Sequence, residues 1–278
     1  MKGWGMGRRR GFTLIELLVV ISIIALLMAI LMPSLQRSRE QGKTVVCQSR
    51  LKQWGLVFSM YTGDNNGYFH RGHRGSADLP GAWYNATRDY WKDFKLLRCP
   101  TARKLEHPHD RRSGGTFTAW WNWVGHEVAD VKGTSYEALV DRGFILVPGS
   151  YAINGWVQNP PPGEDTKGHD SSNNWRTFDV RSADPVPLLL DSAWYYGYPY
   201  HTDLPTEWED VFKTGEGMDK FCIDRHRNGR INGVFLDHSA RLVGIKELWR
   251  LKWHRSFPVN APPPNWATEA PWIVPLPE

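Results

Sequence analysis

Residues 12 to 32 read FTLIELLVVISIIALLMAILM, 21 residues with a single ionisable group, Glu16. This run limits the fold of the chain more than any other feature. As a helix rising about 1.5 Å per residue it spans about 30 Å, one hydrocarbon thickness. Lys2, Arg8, Arg9 and Arg10 precede it with no acidic residue among them. That asymmetry predicts a cytoplasmic N-terminus, with everything after Pro33 on the far side of the membrane. A cleaved secretory signal would need a shorter apolar core and a small-x-small site behind it, whereas MPSLQRSRE follows here. A plain anchor fits the length but leaves Glu16 unexplained. A carboxylate inside a spanning helix costs about 3 kcal/mol even on the gentler insertion scales, which points to a function.

The residues around Glu16 suggest one. If the chain is cut between Gly11 and Phe12, Phe12 gains a free α-amine. Glu16 then lies four residues along from it, near the positive end of the helix dipole. Its charge is compensated either in cis by its own terminus or in trans by a neighbour's. A trans pairing in hydrocarbon would drive helices together and fix their register. The stretch Gly11-Phe12-Thr13-Leu14-Ile15-Glu16 resembles the cleavage and methylation signal of type IV prepilins and type II secretion pseudopilins. Pro33 falls where many of those proteins carry a helix-loosening proline. The resemblance implies cutting after Gly11 by a prepilin peptidase, N-methylation of Phe12, and assembly steered by Glu16. Implied partners are copies of the chain or other pilin-like subunits, the peptidase, an inner-membrane assembly platform and membrane lipid. The implied location is the inner membrane as a single-pass protein, then a periplasmic or cell-surface filament.

The formal charge of +5 does not argue for nucleic acid. Setting aside the four leader cations leaves 30 Lys and Arg against 29 Asp and Glu. A phosphate-backbone binder needs clustered positive charge on its folded part, so no nucleic-acid partner is expected.

Beyond Pro33, which predicts a kink, an apolar seam continues at Cys47, Leu51, Trp54, Phe58 and Tyr61. The steps of three and four predict one helical face packed on a head domain. The turn cluster Gly63-Asp64-Asn65-Asn66-Gly67 predicts the helix end near Thr62. Strand-like runs follow at 144–148, 150–154, 186–191, 232–237 and 240–245, the last two flanking a hairpin turn at Asp237-His238-Ser239. The expected fold class is α+β. A long N-terminal helix, transmembrane in its first half and amphipathic in its second, packs on a small antiparallel-sheet head. The expected organisation is a leader (1–11), transmembrane helix (12–33), amphipathic continuation (34–62), extracytoplasmic head (63–257) and proline-rich tail (258–278). The tail is expected as an extended arm laid on the surface or as partly disordered.

The stretches 51–69, 96–102, 150–156, 187–194 and 225–243 resemble a pilin-like subfamily whose C-terminal signature is His, nine residues, then Asp-Gly. Here ten residues separate His226 from Asp237, and His238 stands where that signature has glycine. Histidine is less at ease than glycine at positive φ, so the turn is expected to differ.

Cys47, Cys99 and Cys222 have no C-x-x-C spacing, which argues against a structural zinc site. If the head is extracytoplasmic, a Cys47–Cys99 disulfide is the favoured pairing; the alternative is three unpaired, mostly buried thiols. His226, Asp237 and His238 have no further carboxylate or histidine at ligand spacing, so they are read as holding the hairpin by hydrogen bonds. His70, His73, His107 and His109 lie in expected loops. No nucleophile elbow, phosphate-binding glycine loop or zinc-protease helix is present. The expectation is a non-enzyme with no cofactor and no metal.

Fifteen tryptophans are about four times an ordinary share. Trp120, Trp121 and Trp123, with Trp83, Trp91, Trp175, Trp194 and Trp208, would offer flat faces to sugar rings. They support an alternative, a membrane-anchored glycan-binding adhesin or substrate-capture protein with polysaccharide as its partner. Cores and subunit interfaces are the commoner use of such residues. The leading expectation is a pilin-like structural subunit of a type II secretion pseudopilus or type IV-like filament.

Overall fold

The computed structural model describes residues 12–72, 82–104, 114–125, 143–164, 168–205 and 217–277. It divides into two units, Met1–Gly42 and Lys43–Glu278. One helix, α1 (Leu14–Asp64, 51 residues), contributes to both and runs without interruption through Pro33.

In the first unit the run VVISII is helical despite its β-branched residues. A helix meets the backbone donors and acceptors of such an apolar run within the segment itself. Three serines of this unit also turn inward. Ser22 Oγ donates to Leu18 O at 2.7 Å, Ser34 Oγ to Leu31 O at 3.0 Å and Ser38 Oγ to Ser34 O at 3.0 Å. The Ser22 hydroxyl therefore carries no unmet polar demand into the apolar run. α1 is long and apolar enough to cross a membrane by length and composition.

In the second unit the C-terminal half of α1 is the spine of the core. Cys47, Leu51, Trp54, Gly55, Val57, Phe58 and Thr62 are buried, the face expected from the seam, with Tyr61 half-buried at its edge. The helix ends where Asn66 (φ 55°) and Gly67 (φ 82°) turn left-handed and Gly67 N donates to Thr62 O at 2.8 Å.

The main sheet has five strands in the order β5-β3-β4-β6-β7. These are β3 (Tyr151–Asn154), β4 (Pro187–Asp191), β5 (Tyr196–Gly197), β6 (Arg230–Phe235) and β7 (Ala240–Gly244). All pairings are antiparallel except β3 with β5, so the sheet is mixed. A two-stranded ribbon joins β1 (Trp120–Val124) to β2 (Ile145–Gly149), with Trp120 opposite Gly149. All five expected strands are present; β1 and the two-residue β5 add to them. Leu188, Leu189 and Leu190 of β4 are fully buried, as a central strand covered on both faces requires.

Most tryptophans are core. Trp54 packs edge-on against Trp83 at 4.7 Å and Trp91 at 5.3 Å. Their indole N–H groups reach backbone carbonyls: Trp54 to Leu96 at 2.8 Å, Trp83 to Tyr195 at 2.6 Å, Trp253 to Leu248 at 2.7 Å. Each of these three rings thus buries a large apolar area with its one donor satisfied. Gly55 lets α1 approach the sheet closely, since a Cβ there would lie 3.3 Å from Val234 Cγ2.

The tail is docked and partly helical. α3 (Trp266–Glu269), named after the short α2 (Trp83–Ala86), is followed by a 3-10 turn at Pro271–Ile273. Ile273 is fully buried, and Lys246 Nζ donates to Leu276 O at 2.7 Å.

Candidate functional site

Two arrangements can carry function, one in each unit. In the first, Gly11 lies outside the described residues. Phe12 is 70 % exposed, and the apolar side chains after it are exposed as far as Leu35. Glu16 lies in the first turn of α1. Its Oε2 accepts from Thr13 N and from Thr13 Oγ1, both at 2.8 Å, while Glu16 N donates back to Thr13 Oγ1 at 3.2 Å. This is a reciprocal capping box, Thr-x-x-Glu, in which two otherwise unpaired donors of the first turn are met. The carboxylate therefore has a local partner in the chain itself.

The second arrangement is a polar cluster inside the head, and it corrects the reading of His226. His226 does not join Asp237 and His238. Asp237 Oδ1 accepts from Ser239 N at 2.9 Å and from Ser239 Oγ at 2.7 Å, holding the β6–β7 turn. His238 takes the left-handed position (φ 63°) and lays its ring 4.7 Å from that of Phe178.

His226, just before β6, instead turns into the core. Its Nε2 lies 3.0 Å from Asp191 Oδ2 and 3.4 Å from Cys99 Sγ. Cys47, on the buried face of α1, lies 3.5 Å from the same Asp191 Oδ2. The four heteroatoms, Cys47 Sγ, Cys99 Sγ, one Asp191 oxygen and one His226 nitrogen, are all within 4.8 Å of one another. Cys47, Cys99 and Asp191 are fully buried and the His226 side chain is 1 % exposed. Both cysteines of the expected disulfide are present here as free thiols, as is Cys222 elsewhere in the core.

A ring of further groups fixes this cluster. Arg225 Nη1 donates to Asp191 Oδ1 at 3.3 Å, and its other donors reach the carbonyls of Thr116, Ser150, Gly115 and Ser192. The guanidinium is thus buried with its fork occupied. Asn232 N donates to Asp191 Oδ2 at 2.9 Å, and Tyr151 Oη donates to Cys47 Sγ at 3.3 Å. Thr44 Oγ1 lies 3.1 Å from His226 Nδ1.

The electrostatics follow from this crowding. Burial alone would raise the Asp191 carboxyl, but His226 and then Arg225 beside it outweigh burial and hold it below its ordinary range. Burial disfavours the His226 cation, yet Asp191 overrides that and lifts the imidazole to about 10. Burial pushes the Cys47 thiol well up, reinforced by its hydrogen bond to Cys99 and the Asp191 charge. Burial pushes the Cys99 thiol up too, but hydrogen bonds from Cys47 and His226 more than offset it and bring it to about 6.

This is not the relay of a cysteine hydrolase. In such a relay the nucleophile and the orienting carboxylate use opposite ring nitrogens. Here Cys99 and Asp191 both meet Nε2, and the cluster has no open face. Trp120 (0 % exposed) and Trp123 (6 %) are also core residues, so neither presents a face to a sugar; Trp121 between them is half-buried. Trp83 and Trp91 are buried as well. Trp208, His73, His107 and His109 lie outside the described residues.

Comparison with known proteins agrees with the N-terminal segment. Residues 6–32 match the family model described as the prokaryotic N-terminal methylation motif. Over 63 residues the chain is 44 % identical to the type IV wide pilus major component PilA4 of Thermus thermophilus, covering 23 % of this chain and 48 % of that protein. Over 65 residues it is 37 % identical to the type II secretion system core protein G of Pseudomonas aeruginosa, covering 23 % of this chain and 46 % of that one. The chain thus spans about half the length of the curated relatives it matches. No solved structure matches.

Proposed function

We propose that this chain is a pilin-like structural subunit of a type II secretion pseudopilus or type IV-like filament. In this reading it is inserted with its N-terminus in the cytoplasm, cut after Gly11 by a prepilin peptidase and N-methylated on Phe12. It then assembles with copies of itself or other pilin-like subunits through residues 12–33 at an inner-membrane platform.

One observation carries the reading. α1 is a single helix whose N-terminal apolar residues are all exposed, while its C-terminal half is the core spine of a folded head. An exposed apolar face of that extent must be covered by lipid or by other subunits. The methylation motif at 6–32 and the two partial relatives support the same reading. The test is intact mass of the chain recovered from sheared filaments. A species beginning at N-methylated Phe12 supports it, and assembled protein retaining residues 1–11 refutes it.

A further inference from the structure

We propose that Cys47, Cys99, Asp191 and His226 are the ligands of a structural zinc ion that ties α1 to the sheet of the head. The donor set is two thiolates, an imidazole and a carboxylate, the mixture tetrahedral zinc accepts and hard cations do not.

The spacing fits. Zinc-to-ligand bonds of about 2.0–2.3 Å at tetrahedral angles place ligand atoms about 3.3–3.8 Å apart. Cys99 Sγ and His226 Nε2 are 3.4 Å apart, and Cys47 Sγ and Asp191 Oδ2 are 3.5 Å apart. The third close pair, His226 Nε2 with Asp191 Oδ2, is at hydrogen-bond length, 3.0 Å. It would open by a few tenths of an ångström as a metal replaced the shared proton.

The surroundings are those of a closed site. Each ligand is steadied by a second group: Thr44 Oγ1 at His226 Nδ1, Tyr151 Oη at Cys47, Thr101 N at Cys99 (3.4 Å), and Arg225 at the free Asp191 oxygen. Charge also balances. Two thiolates and a carboxylate around a divalent ion leave one negative charge, and the buried Arg225 beside Asp191 cancels it. On binding, Zn²⁺ enters, each thiol still protonated loses its Sγ–H, and His226 gives up its Nε2–H. Imidazole then ligates through the Nε2 lone pair and keeps its proton on Nδ1, facing Thr44. Cys47 and Asp191 are 144 positions apart in sequence. The ion would therefore close long loops and hold together elements with no local reason to meet.

The test uses the full-length chain purified in detergent without chelator. Elemental analysis is expected to find about one zinc per chain, and a chelator to lower the melting temperature reversibly. Exchange with cobalt is expected to give intense tetrahedral d–d bands and a sulfur-to-cobalt charge-transfer band, which falls by about half in Cys99→Ser. Should Cys99→Ser or His226→Ala fail to fold, Tyr151→Phe serves instead. It loses only the hydroxyl on Cys47 and is expected to weaken zinc binding by about tenfold. A wild-type protein that takes up neither zinc nor cobalt overturns the inference. So does an intact mass two hydrogens lighter with Cys47 and Cys99 joined as a disulfide, since two-electron oxidation removes both thiolates.

Discussion

The carboxylate of Glu16 accepts two hydrogen bonds from Thr13, from its backbone N–H and from its hydroxyl, each at 2.8 Å. Read as an isolated charge in an apolar run, Glu16 is expensive. As the fourth residue of a Thr-x-x-Glu box it sits in the first turn of α1 and meets donors that this turn leaves bare. If the chain is cut after Gly11 as proposed, Thr13 becomes the second residue, and the cap and the new amine of Phe12 would compete for one carboxylate. The cap holds Glu16 within its own chain, whereas pairing with a neighbour's amine would draw it away.

Glutamine separates these roles, because it can close the capping box but carries no charge. Glu16→Gln is expected to be processed normally and to enter sheared filaments poorly. Thr13→Ala loses the cap, worth about 0.5–2 kcal/mol of helix stability, and keeps the charge. It is expected to assemble. Immunoblots of the sheared fraction measure both, and normal incorporation of Glu16→Gln would refute a role for the charge.

Gly55 sets how close α1 comes to β6. A Cβ at this position would lie 3.3 Å from Val234 Cγ2 and 3.6 Å from His238 Nδ1. Gly55→Leu must push the helix off the sheet and is expected to destabilise the head by about 1–3 kcal/mol. Gly55→Ala gains about 1 kcal/mol of helix propensity against a contact tighter than most, so its loss is expected to be much smaller. Thermal unfolding of the two variants in detergent checks the order, and equal melting temperatures would refute the tight fit.

How much of this could be read from sequence depended on how local the cause was. The seam through Cys47, Leu51, Trp54 and Phe58 follows from helical period, and all four are buried. β2, β3, β4, β6 and β7 follow from apolar runs between turn residues. β1 did not, because Trp120-Trp121-Asn122-Trp123 reads as a surface platform until Gly149 is seen to receive the Trp120 ring. β5 is two residues long and exists only because β3 offers an edge. The metal-competent cluster is the extreme case. Its members sit on α1, after a 3-10 turn, at the end of β4 and before β6, so no motif spacing could join them. One signal was available: an aspartate closing the apolar run Val186–Leu190 is buried, and a buried carboxylate needs a cationic or metal partner.

His238 occupies the turn position where the resembled subfamily has glycine, at φ 63°. Left-handed backbone costs a non-glycine residue about 1 kcal/mol, and His238 offsets it by its contacts with Phe178 and with Ser59 Oγ at 3.5 Å. His238→Gly removes both the strain and the contacts and is expected to change stability by less than about 1 kcal/mol. His238→Val keeps the strain, adds a β-branch and is expected to lose about 1–3 kcal/mol. Melting temperatures in one detergent compare them, and a valine variant as stable as the glycine one would refute the strain.

His254 gives the head an acid limit. Its ring lies 4.8 Å from that of Trp156 and 5.3 Å from that of Phe257, and its Nε2 has no hydrogen-bond partner among the described residues. Burial first, then the charges of Lys252 and His201, lower this imidazole to about 4. An unfolded histidine titrates near 6.5. Between about pH 6.5 and pH 4 the unfolded chain therefore binds the extra proton and the folded one does not, so stability falls as pH falls. Above about 6.5 the contribution is fully present. Asp203 and Asp224 titrate in the opposite sense, because burial raises both. The comparison with His254→Gln, which cannot take the proton, isolates the histidine. The melting temperature of the wild-type protein is expected to drop more steeply than that of His254→Gln across this window. Parallel curves for the two proteins would show that His254 is not the group responsible.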